Sequence, residues 1–289
     1  MADLIAHKAV ELNKVKAARR RVLSQPDYLD MNYMAQPKYD GCFGAVVPDE
    51  RTLYSRTGEE TRSMKHIIHD VCMYFPGDVV FGEVWAQGIG QSEISGAFRQ
   101  HAPAEWLQFV VFDAITLAEF NVGYSSRPYK ERLFHVEHNI RGSVLRAIPT
   151  YNQGTYGKHE ALRDEYLSRG GYDGLILRDP EGHWRMGTGI TGEIVKSKRV
   201  LSFDLTVLDV KEGKGKLLGH AGSLVLRWKD GRTIEAIGGS YADRKDWLAN
   251  PSKIVGSIVE VEAMDYSADG LLREPRVKGI RFDKEKADF

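Results

Sequence analysis

Several features that would decide the class of this protein are scarce or missing in its 289 residues. There are only two cysteines, Cys42 and Cys72, which excludes a disulfide framework, and no Cys/His set has the spacing of zinc ligands. This cysteine usage favours a reducing, cytoplasmic setting. No run of about 18 apolar residues occurs, and the N-terminal stretch carries acidic and basic residues within its apolar pattern. The sequence therefore predicts neither a membrane span nor a secretory signal.

Common signatures of nucleotide binding and hydrolysis are also missing. The glycines of KEGKGKLL (211–218) lack the spacing of a P-loop, and there is no H-E-x-x-H zinc motif and no nucleophile elbow. The net charge is zero, with 40 basic and 40 acidic residues. Overall charge thus gives no sign of a nucleic-acid partner, although a neutral protein can still carry one basic face.

The patterns that are present indicate an α+β protein. Helices are predicted at 3–24, 62–75, 125–140 and 158–171, buried strands at 78–86 and 107–115, and shorter strands at 32–38, 43–48 and 51–55. After about residue 200 the chain changes to short alternating strands with Asp-Gly and Gly-rich turns and one helix. The sequence predicts an antiparallel-sheet domain over 1–200, followed by an OB-fold β-barrel over 201–289.

Polar residues recur at the ends of the apolar strands. They are Lys38, Asp40, Glu83, Asp113, Asp173, Lys196 and Lys198. Any one of them alone is typical of a strand end or a buried ion pair. Together, lysines from separate strands with carboxylates between them suit a phosphate centre held with a divalent metal.

Lys38 is the candidate nucleophile of such a centre. In EIVKSK the alternation of a strand puts Lys196 and Lys198 on one face, where two ammonium groups need an anion or solvent between them. A nearby cation and burial both favour the neutral form of an amine, and only the neutral amine is a nucleophile. We therefore expect Lys38 to attack phosphorus while other lysines neutralise the phosphate oxygens.

The same residues fall into ordered motifs, and with them the chain resembles the ATP-dependent DNA ligases, small phage and viral ligases above all. This family lies within the covalent nucleotidyltransferase superfamily of ligases and capping enzymes. The resemblance runs from about residue 30 to the C-terminus. It rests on KYDG (38–41), SRTG (55–58), FGE (81–83), VVFD (110–113), YDGLILRDP (172–180), KSK (196–198) and IRFDK (280–284).

The resemblance implies a role for each matched residue. Lys38 would be adenylated by ATP, Asp40 would orient it, and Lys196 and Lys198 would complete the catalytic set on the phosphates. The implied nucleotide contacts are Gln36, Pro37, Lys38, Arg56, Glu83 on the ribose, Phe112 stacked on adenine, Lys196, Lys198, and Arg281 and Lys284 on the pyrophosphate, with Asp283 in the same motif. Glu83 and Asp173 would serve Mg²⁺.

The implied activity is an ATP-dependent DNA ligase that seals nicks in double-stranded DNA during replication or repair through a lysyl-AMP intermediate. The 1–200 domain would be the nucleotidyltransferase (adenylation) domain. The OB-fold domain would swing over to orient the pyrophosphate and then turn away for DNA, with a hinge near 199–204. We expect the protein to act as a monomer.

Three positions depart from the family pattern. Gln36 and Phe43 stand where many ligases have glutamate and arginine, and Asp173 stands where the motif usually begins with glutamate. A glutamine oxygen can accept a hydrogen bond from the amino group of adenine, but its amide can also donate to the carbonyl of guanine. An RNA ligase or a GTP-using capping enzyme, and a non-catalytic DNA-binding module, are therefore the alternatives.

Overall fold

The computed structural model describes residues 6–61, 63–100, 102–267 and 269–289. The chain forms two compact units, the first ending at Lys198 and the second spanning Arg199–Phe289. Among the helices described, none is long and apolar enough to cross a membrane. The assignment of functional domains to 1–200 and 201–289 stays a prediction.

The helices surround the sheets of the first unit, and one helix belongs to the second unit. Their bounds are α1 Ala17–Leu23, α2 Tyr28–Asn32, α3 Lys65–Tyr74, α4 Gln91–Arg99, α5 Leu117–Val122, α6 Tyr129–Asn139, α7 His159–Arg169 and α8 Tyr241–Ala249. Short 3-10 turns lie at Leu12–Lys14, Pro48–Glu50, Gly215–Leu217, Lys229–Gly231 and Pro251–Lys253.

The first unit is built on two principal sheets. Its strands are β1 His7–Lys8, β2 Met34–Tyr39, β3 Cys42–Val47, β4 Thr52–Tyr54, β5 Glu60–Thr61, β6 Asp78–Trp85, β7 Gln108–Thr116, β8 Tyr124–Ser125, β9 Leu145–Ala147, β10 Tyr172–Arg178, β11 Trp184–Arg185, β12 Gly187–Thr188 and β13 Ile194–Ser197. The larger sheet has the order β5-β4-β3-β6-β7-β9, and the smaller has the order β13-β10-β2. Both are antiparallel except that β9 runs parallel to β7.

The larger sheet is buried at its centre, as the apolar runs at 78–86 and 107–115 predict. These runs form the neighbouring strands β6 and β7. Gly44 and Gly82 face each other across β3 and β6, and a Cβ at Gly82 would lie 2.8 Å from the ring of Phe109 and 2.7 Å from the carbonyl oxygen of Val110. Because neither glycine has a side chain, there is room between the strands for the fully buried ring of Phe109.

The predicted helix over 3–24 is wrong for most of its length. Residues 3–5 lie outside the described residues, His7–Lys8 pairs as strand β1 with β12, and only Ala17–Leu23 is α-helical. Main-chain hydrogen bonds explain the difference, since Val10 donates to Ile194 and accepts from Lys196 beside strand β13. These long-range bonds outweigh the helical period of the apolar residues.

The second unit is a small closed β-barrel, as its short alternating strands predict. Its strands are β14 Leu201–Glu212, β15 Ala221–Arg227, β16 Thr233–Gly238, β17 Ile258–Ala263, β18 Asp265–Tyr266, β19 Leu272–Arg273 and β20 Arg276–Ile280. The barrel closes in the order β14-β15-β16-β20-β17. Helix α8 starts with a capping box between Ser240 and Asp243 and packs Trp247 on the barrel core. The predicted α+β fold with a C-terminal OB-type barrel is confirmed.

Candidate active site

A β-bulge between strands β2 and β10 positions the candidate nucleophile. Tyr39 pairs with Tyr172 and Pro37 pairs with Leu175, so Asp173 and Gly174 together face Lys38. A bulge of this kind bends the strand and re-aims a side chain. Gly174 has φ +115°, and a Cβ there would lie 2.3 Å from the carbonyl oxygen of Ser197. Glycine is therefore the residue that this turn of the backbone requires.

The bulge brings the carboxylate of Asp173 between two lysines. Its Oδ2 lies 2.7 Å from Nζ of Lys38 and 2.5 Å from Nζ of Lys198. Burial alone would raise the pKa of Asp173, but the charge of Lys38 and hydrogen bonds from both lysines outweigh it and hold the pKa below its usual value. Burial, partly offset by Asp173, lowers the pKa of Lys198. The arrangement keeps two amines beside one carboxylate in a half-buried position.

Lys38 opens into a cavity of about 200 Å³ in the first unit. Eight of the residues predicted from sequence line it: Gln36, Pro37, Lys38, Arg56, Glu83, Phe112, Lys196 and Lys198. Asp173 and Asp40 are not among its lining residues, although Asp173 contacts two of them. A cavity of this size encloses part of a nucleotide rather than all of it.

Glu83 is a titratable group of this cavity whose pKa is shifted toward the neutral form. Burial raises its pKa to about 7, and the positive charges of Lys38 and Arg56 lower it by less than burial raises it. The negative charge of Asp40 raises the pKa further, which places Asp40 near Glu83. The carboxylate that Lys38 contacts is Asp173, so a direct orienting contact from Asp40 is not seen in the described residues.

A second bulge presents Phe112 to the cavity. Phe81 pairs with Asp113 and Gly82 pairs with Val111, which leaves Phe112 as the extra residue of strand β7. Its carbonyl oxygen accepts a hydrogen bond from the hydroxyl of Tyr129 at 2.9 Å. The ring of Phe112 lies 6.2 Å from that of Phe43. An aromatic wall therefore borders the cavity.

Phe43 carries a cation on its own ring. The guanidinium of Arg56 lies 5.4 Å from the centre of the Phe43 ring, a cation–π contact. Arg56 is solvent-exposed and lines the cavity, so its charge remains available to a ligand. Position 43 thus carries no charge of its own, but a guanidinium from a neighbouring loop lies against its ring.

A buried ion-pair network supports the aromatic wall from behind. Asp113 accepts hydrogen bonds from Arg132 at 2.7 and 3.1 Å and from Arg178 at 3.4 Å, and all three are at least 94% buried. The guanidinium of Arg178 lies 5.1 Å from the ring centre of Phe112 and 4.5 Å from that of Tyr129. Asp113 therefore has a supporting task, and sequence reasoning missed its partners.

Both lysines of KSK line the cavity, and each forms an ion pair with a different carboxylate. Lys196 lies on strand β13 and its Nζ is 3.3 Å from a carboxylate oxygen of Glu11. Lys198 follows the strand and binds Asp173. Each ammonium group has a carboxylate partner in the structure, which offsets their mutual repulsion until an anion takes its place.

His7 lines the same cavity and was not predicted. Its Nδ1 accepts a hydrogen bond from the main chain of Arg185 at 3.3 Å, and its Nε2 is buried with no partner among the described residues. Burial lowers the pKa of His7 to about 4. The imidazole is therefore neutral near pH 7, and no motif around residue 7 could have indicated it.

Arg281 and Lys284 lie in the second unit and bind a common carboxylate. Asp204, on strand β14, is 6% exposed. Its Oδ1 lies 3.0 Å from Nη1 of Arg281, and its Oδ2 lies 2.6 Å from Nζ of Lys284. Arg281 also binds Asp283 at 2.8 Å. All the charges of this C-terminal motif are thus paired within the barrel unit.

The carboxylates of the first unit fit a magnesium ion chemically. Carboxylate oxygens are the protein ligands that Mg²⁺ takes, normally one or two of them with several waters and substrate phosphates. Both ammonium groups at Asp173 bind the same oxygen, Oδ2. In the described part of the chain, the group of three side chains close enough to hold a metal is Asp30, His159 and Glu160, and it does not include Glu83 or Asp173.

Part of the sequence and the fold of the whole chain resemble known proteins. Residues 212–281 match the family model described as DNA ligase OB-like domain. No curated protein matches the sequence closely enough to count as a relative. Among solved structures, one named Pmar-Lig_PreS3 aligns with a TM-score of 0.74 and 20% identity, covering 96% of this chain and 67% of the other.

Two further structures align over nearly their whole length. A Lig E DNA ligase, described as DNA binding with a minimal scaffold, has a TM-score of 0.69 and 17% identity and covers 95% of this chain and 99% of its own. The ATP-dependent DNA ligase from bacteriophage T7 in complex with ATP has a TM-score of 0.53 and 19% identity, with coverages of 96% and 98%. The chain therefore has the fold of DNA ligases, and the resemblance inferred from its motifs is confirmed.

Proposed function

We propose that the protein is an ATP-dependent DNA ligase that joins strands through an AMP group carried on Lys38. The observation that carries this proposal is the cavity in which Lys38 lies beside Asp173 and Lys198, with Glu83 and Phe112 on its walls. A nucleophile, a set of cations for phosphate and an aromatic wall for a base are the parts that nucleotidyl transfer needs.

The first step would form a bond between Nζ of Lys38 and the α-phosphorus of ATP. As this bond forms, the bond between the α-phosphorus and the leaving pyrophosphate breaks, and the nitrogen releases its proton to water. Asp173 holds Nζ of Lys38 in place before attack, and Lys198 and Lys196 oppose the negative charge that gathers on the phosphate oxygens. Arg56, held on the ring of Phe43, adds a further positive charge at the cavity.

Mg²⁺, when bound, would neutralise charge on the phosphate oxygens during transfer. Asp173 and Glu83 are the residues proposed to hold it. Since Asp173 already binds two ammonium groups, it would reach the ion through its second oxygen or through water.

The later steps would pass the AMP group to a 5′-phosphate at a nick and then release it as the 3′-hydroxyl attacks. The substrate is proposed to be nicked duplex DNA, bound by the protein as a monomer, in replication or repair. Arg281 and Lys284 are proposed to act on the pyrophosphate in the first step, which requires that they exchange Asp204 for phosphate oxygens.

The test of this function is covalent labelling. The protein is incubated with α-labelled ATP and Mg²⁺ and separated on a denaturing gel, with Lys38→Ala beside it. We expect a labelled band for the native protein, none for Lys38→Ala, and sealing of a nicked DNA duplex by the native protein alone. Labelling of Lys38→Ala would overturn the assignment of the nucleophile, and sealing of nicked RNA but not DNA would favour the RNA ligase alternative.

A further inference from the structure

The turn that carries Arg56 has a well-held main chain, whereas the side chain of Arg56 has few partners. The turn lies between strands β4 and β5, and the main-chain N–H of Gly58 donates to the oxygen of Ser55 at 3.0 Å. The Arg56 side chain is exposed and makes no hydrogen bond or ion pair within the described part of the chain. Its guanidinium carbon lies 5.4 Å from the ring centre of Phe43. Because a free arginine side chain samples many rotamers, this contact limits where the charge lies.

The ring of Phe43 is itself held in place by the core. Phe43 lies on strand β3, is half-buried, and packs against the core cluster that contains Phe81 and Trp184. Its ring centre lies 6.4 Å from that of Phe81 and 6.2 Å from that of Phe112. Phe81 is fully buried and stacks on Trp184 at 5.3 Å. A ring supported in this way has little freedom, so it offers the guanidinium a fixed surface.

Phe43 and Arg56 lie at the wall of the cavity that contains the candidate nucleophile. Both residues line this cavity together with Lys38 and Glu83. Phe43 pairs with Glu83 across strands β3 and β6, and residues paired in this way have their side chains on the same face of the sheet, about 5 Å apart. The positive charge of Arg56 lowers the pKa of Glu83, which places the guanidinium near that carboxyl. The contact with Phe43 therefore keeps a positive charge at the same cavity as Lys38.

A guanidinium held on an aromatic ring keeps its hydrogen-bond donors free. The cation–π attraction acts through the face of the ring and uses no N–H group. The N–H donors of Arg56 therefore remain for a ligand, and their planar fork fits two oxygens of a phosphate. By contrast, a carboxylate already pairs with each of Lys38, Lys196 and Lys198. Arg56 is thus a cation of the cavity that a phosphate can bind without first displacing a carboxylate.

We propose that Phe43 is a positioning residue, which holds the guanidinium of Arg56 at the cavity so that it binds a phosphate group of the substrate. The inference rests on the proposed function, and it adds the residue that places Arg56. The phosphate belongs to the nucleotide or to the 5′ end of the DNA, because the proposed reaction brings both to this cavity. If the ring served only as a wall of the cavity, its removal would act independently of Arg56.

A double-mutant cycle tests whether Phe43 acts through Arg56. The four proteins are the native protein, Phe43→Leu, Arg56→Gln and the variant with both changes. The dissociation constant of ATP is measured without metal, and the rate of sealing is measured with Mg²⁺ on a nicked duplex whose 5′ end already carries AMP. We expect Phe43→Leu to lower the affinity or the rate about two- to fivefold, the effect of one exposed cation–π contact. In the Arg56→Gln protein, the same change should have no further effect.

The assay in which this coupling appears identifies the source of the phosphate. Coupling in ATP binding assigns the phosphate to the nucleotide, and coupling only in the sealing of the adenylated nick assigns it to the DNA end. If Phe43→Leu has equal effects with and without Arg56 in both assays, the role of Phe43 is overturned and the proposed function stands. If the native protein neither binds ATP nor seals the adenylated nick, the proposed function is overturned, and the inference with it.

Two replacements separate the cation–π contact from the shape of the ring. Phe43→Tyr keeps an aromatic face and should keep the affinity and the rate within about twofold. Pentafluorophenylalanine at position 43 keeps the shape of the ring but makes its face electropositive, so it should reproduce the loss in Phe43→Leu even if that variant does not fold. Phe120→Leu is the matched control, because it removes a neighbouring ring that packs on Phe81 outside the cavity lining, and it should change neither quantity. No loss with pentafluorophenylalanine, or an equal loss in Phe120→Leu, would overturn the proposal.

Discussion

Asp113→Asn is expected to lower the free energy of unfolding of the first unit. Asp113 is 1% exposed and its two oxygens bind Arg132, itself 1% exposed, at 2.7 and 3.1 Å. Asparagine keeps the shape and one acceptor oxygen but removes the charge, which leaves two buried guanidinium groups without a counter-ion. Removing one partner of a buried ion pair costs about 3–5 kcal/mol, and we expect a value near the lower end, about 3 kcal/mol, because one hydrogen bond survives.

The assay is urea unfolding at pH 7, followed by far-ultraviolet circular dichroism, with hydrogen exchange of peptides from strand β7 to assign the loss to the first unit. Glu181→Gln is the matched control, since it makes the same chemical change in the exposed ion pair with Lys130. An exposed pair contributes less than about 1 kcal/mol. If the two variants lose the same amount, or if β7 exchanges no faster in Asp113→Asn, the reasoning about this network is refuted.

Three other variants test separate parts of the structure. Because the pKa of Glu83 is raised, the folded protein retains a proton between about pH 4.5 and 7 that the unfolded chain has lost, so stability falls as pH rises through that window. Glu83→Gln should therefore raise the free energy of unfolding at pH 8 by about 1–3 kcal/mol and leave it unchanged at pH 4. Equal effects at both pH values would contradict this. Asp204→Asn should speed hydrogen exchange over 281–288, because Arg281 and Lys284 lose their shared partner, and unchanged exchange would show that other contacts hold the segment. Gly82→Ala should lower the free energy of unfolding by about 1–3 kcal/mol, because its Cβ would meet the ring of Phe109. The control Gly96→Ala, in helix α4, meets nothing within 4 Å and should raise the free energy of unfolding by up to about 1 kcal/mol. If urea titrations give a change of the same sign for both variants, the packing argument is refuted.

The parts of the fold that sequence predicted well are those with a regular apolar pattern. Strands β6 and β7 follow from their continuous apolar runs, helix α7 from its period and its two closing glycines, and the barrel from its alternating strands and turns. The N-terminal helix failed because a periodic pattern does not reveal a main-chain hydrogen bond to a distant strand. Val10 makes that bond with Ile194 and Lys196, which are more than 180 residues away.

The charged residues of the candidate site could be predicted from the sequence, whereas its neutral residues could not. Lys38, Glu83 and Lys198 stand out because a charge at the end of an apolar strand is unusual. Tyr129 does not stand out, since a tyrosine in a helix is ordinary, and neither does His7, which no motif marks. The two bulges were equally hidden, because one extra residue in a strand is visible only when its partner strand is known.

The pairing of the C-terminal motif has a consequence for its response to salt. Arg281 and Lys284 carry two positive charges, and Asp204 and Asp283 carry two negative ones, so this group of four has no net charge. This neutral group of four side chains exerts little electrostatic force on a phosphate more than a few ångströms away, so long-range attraction does not bring the phosphate to the motif. When Arg281 and Lys284 bind a phosphate, they would exchange their ion pairs with carboxylates for an equal number of ion pairs with phosphate oxygens. That exchange should therefore depend far less on ionic strength than the binding of duplex DNA, in which counter-ions are released into solution.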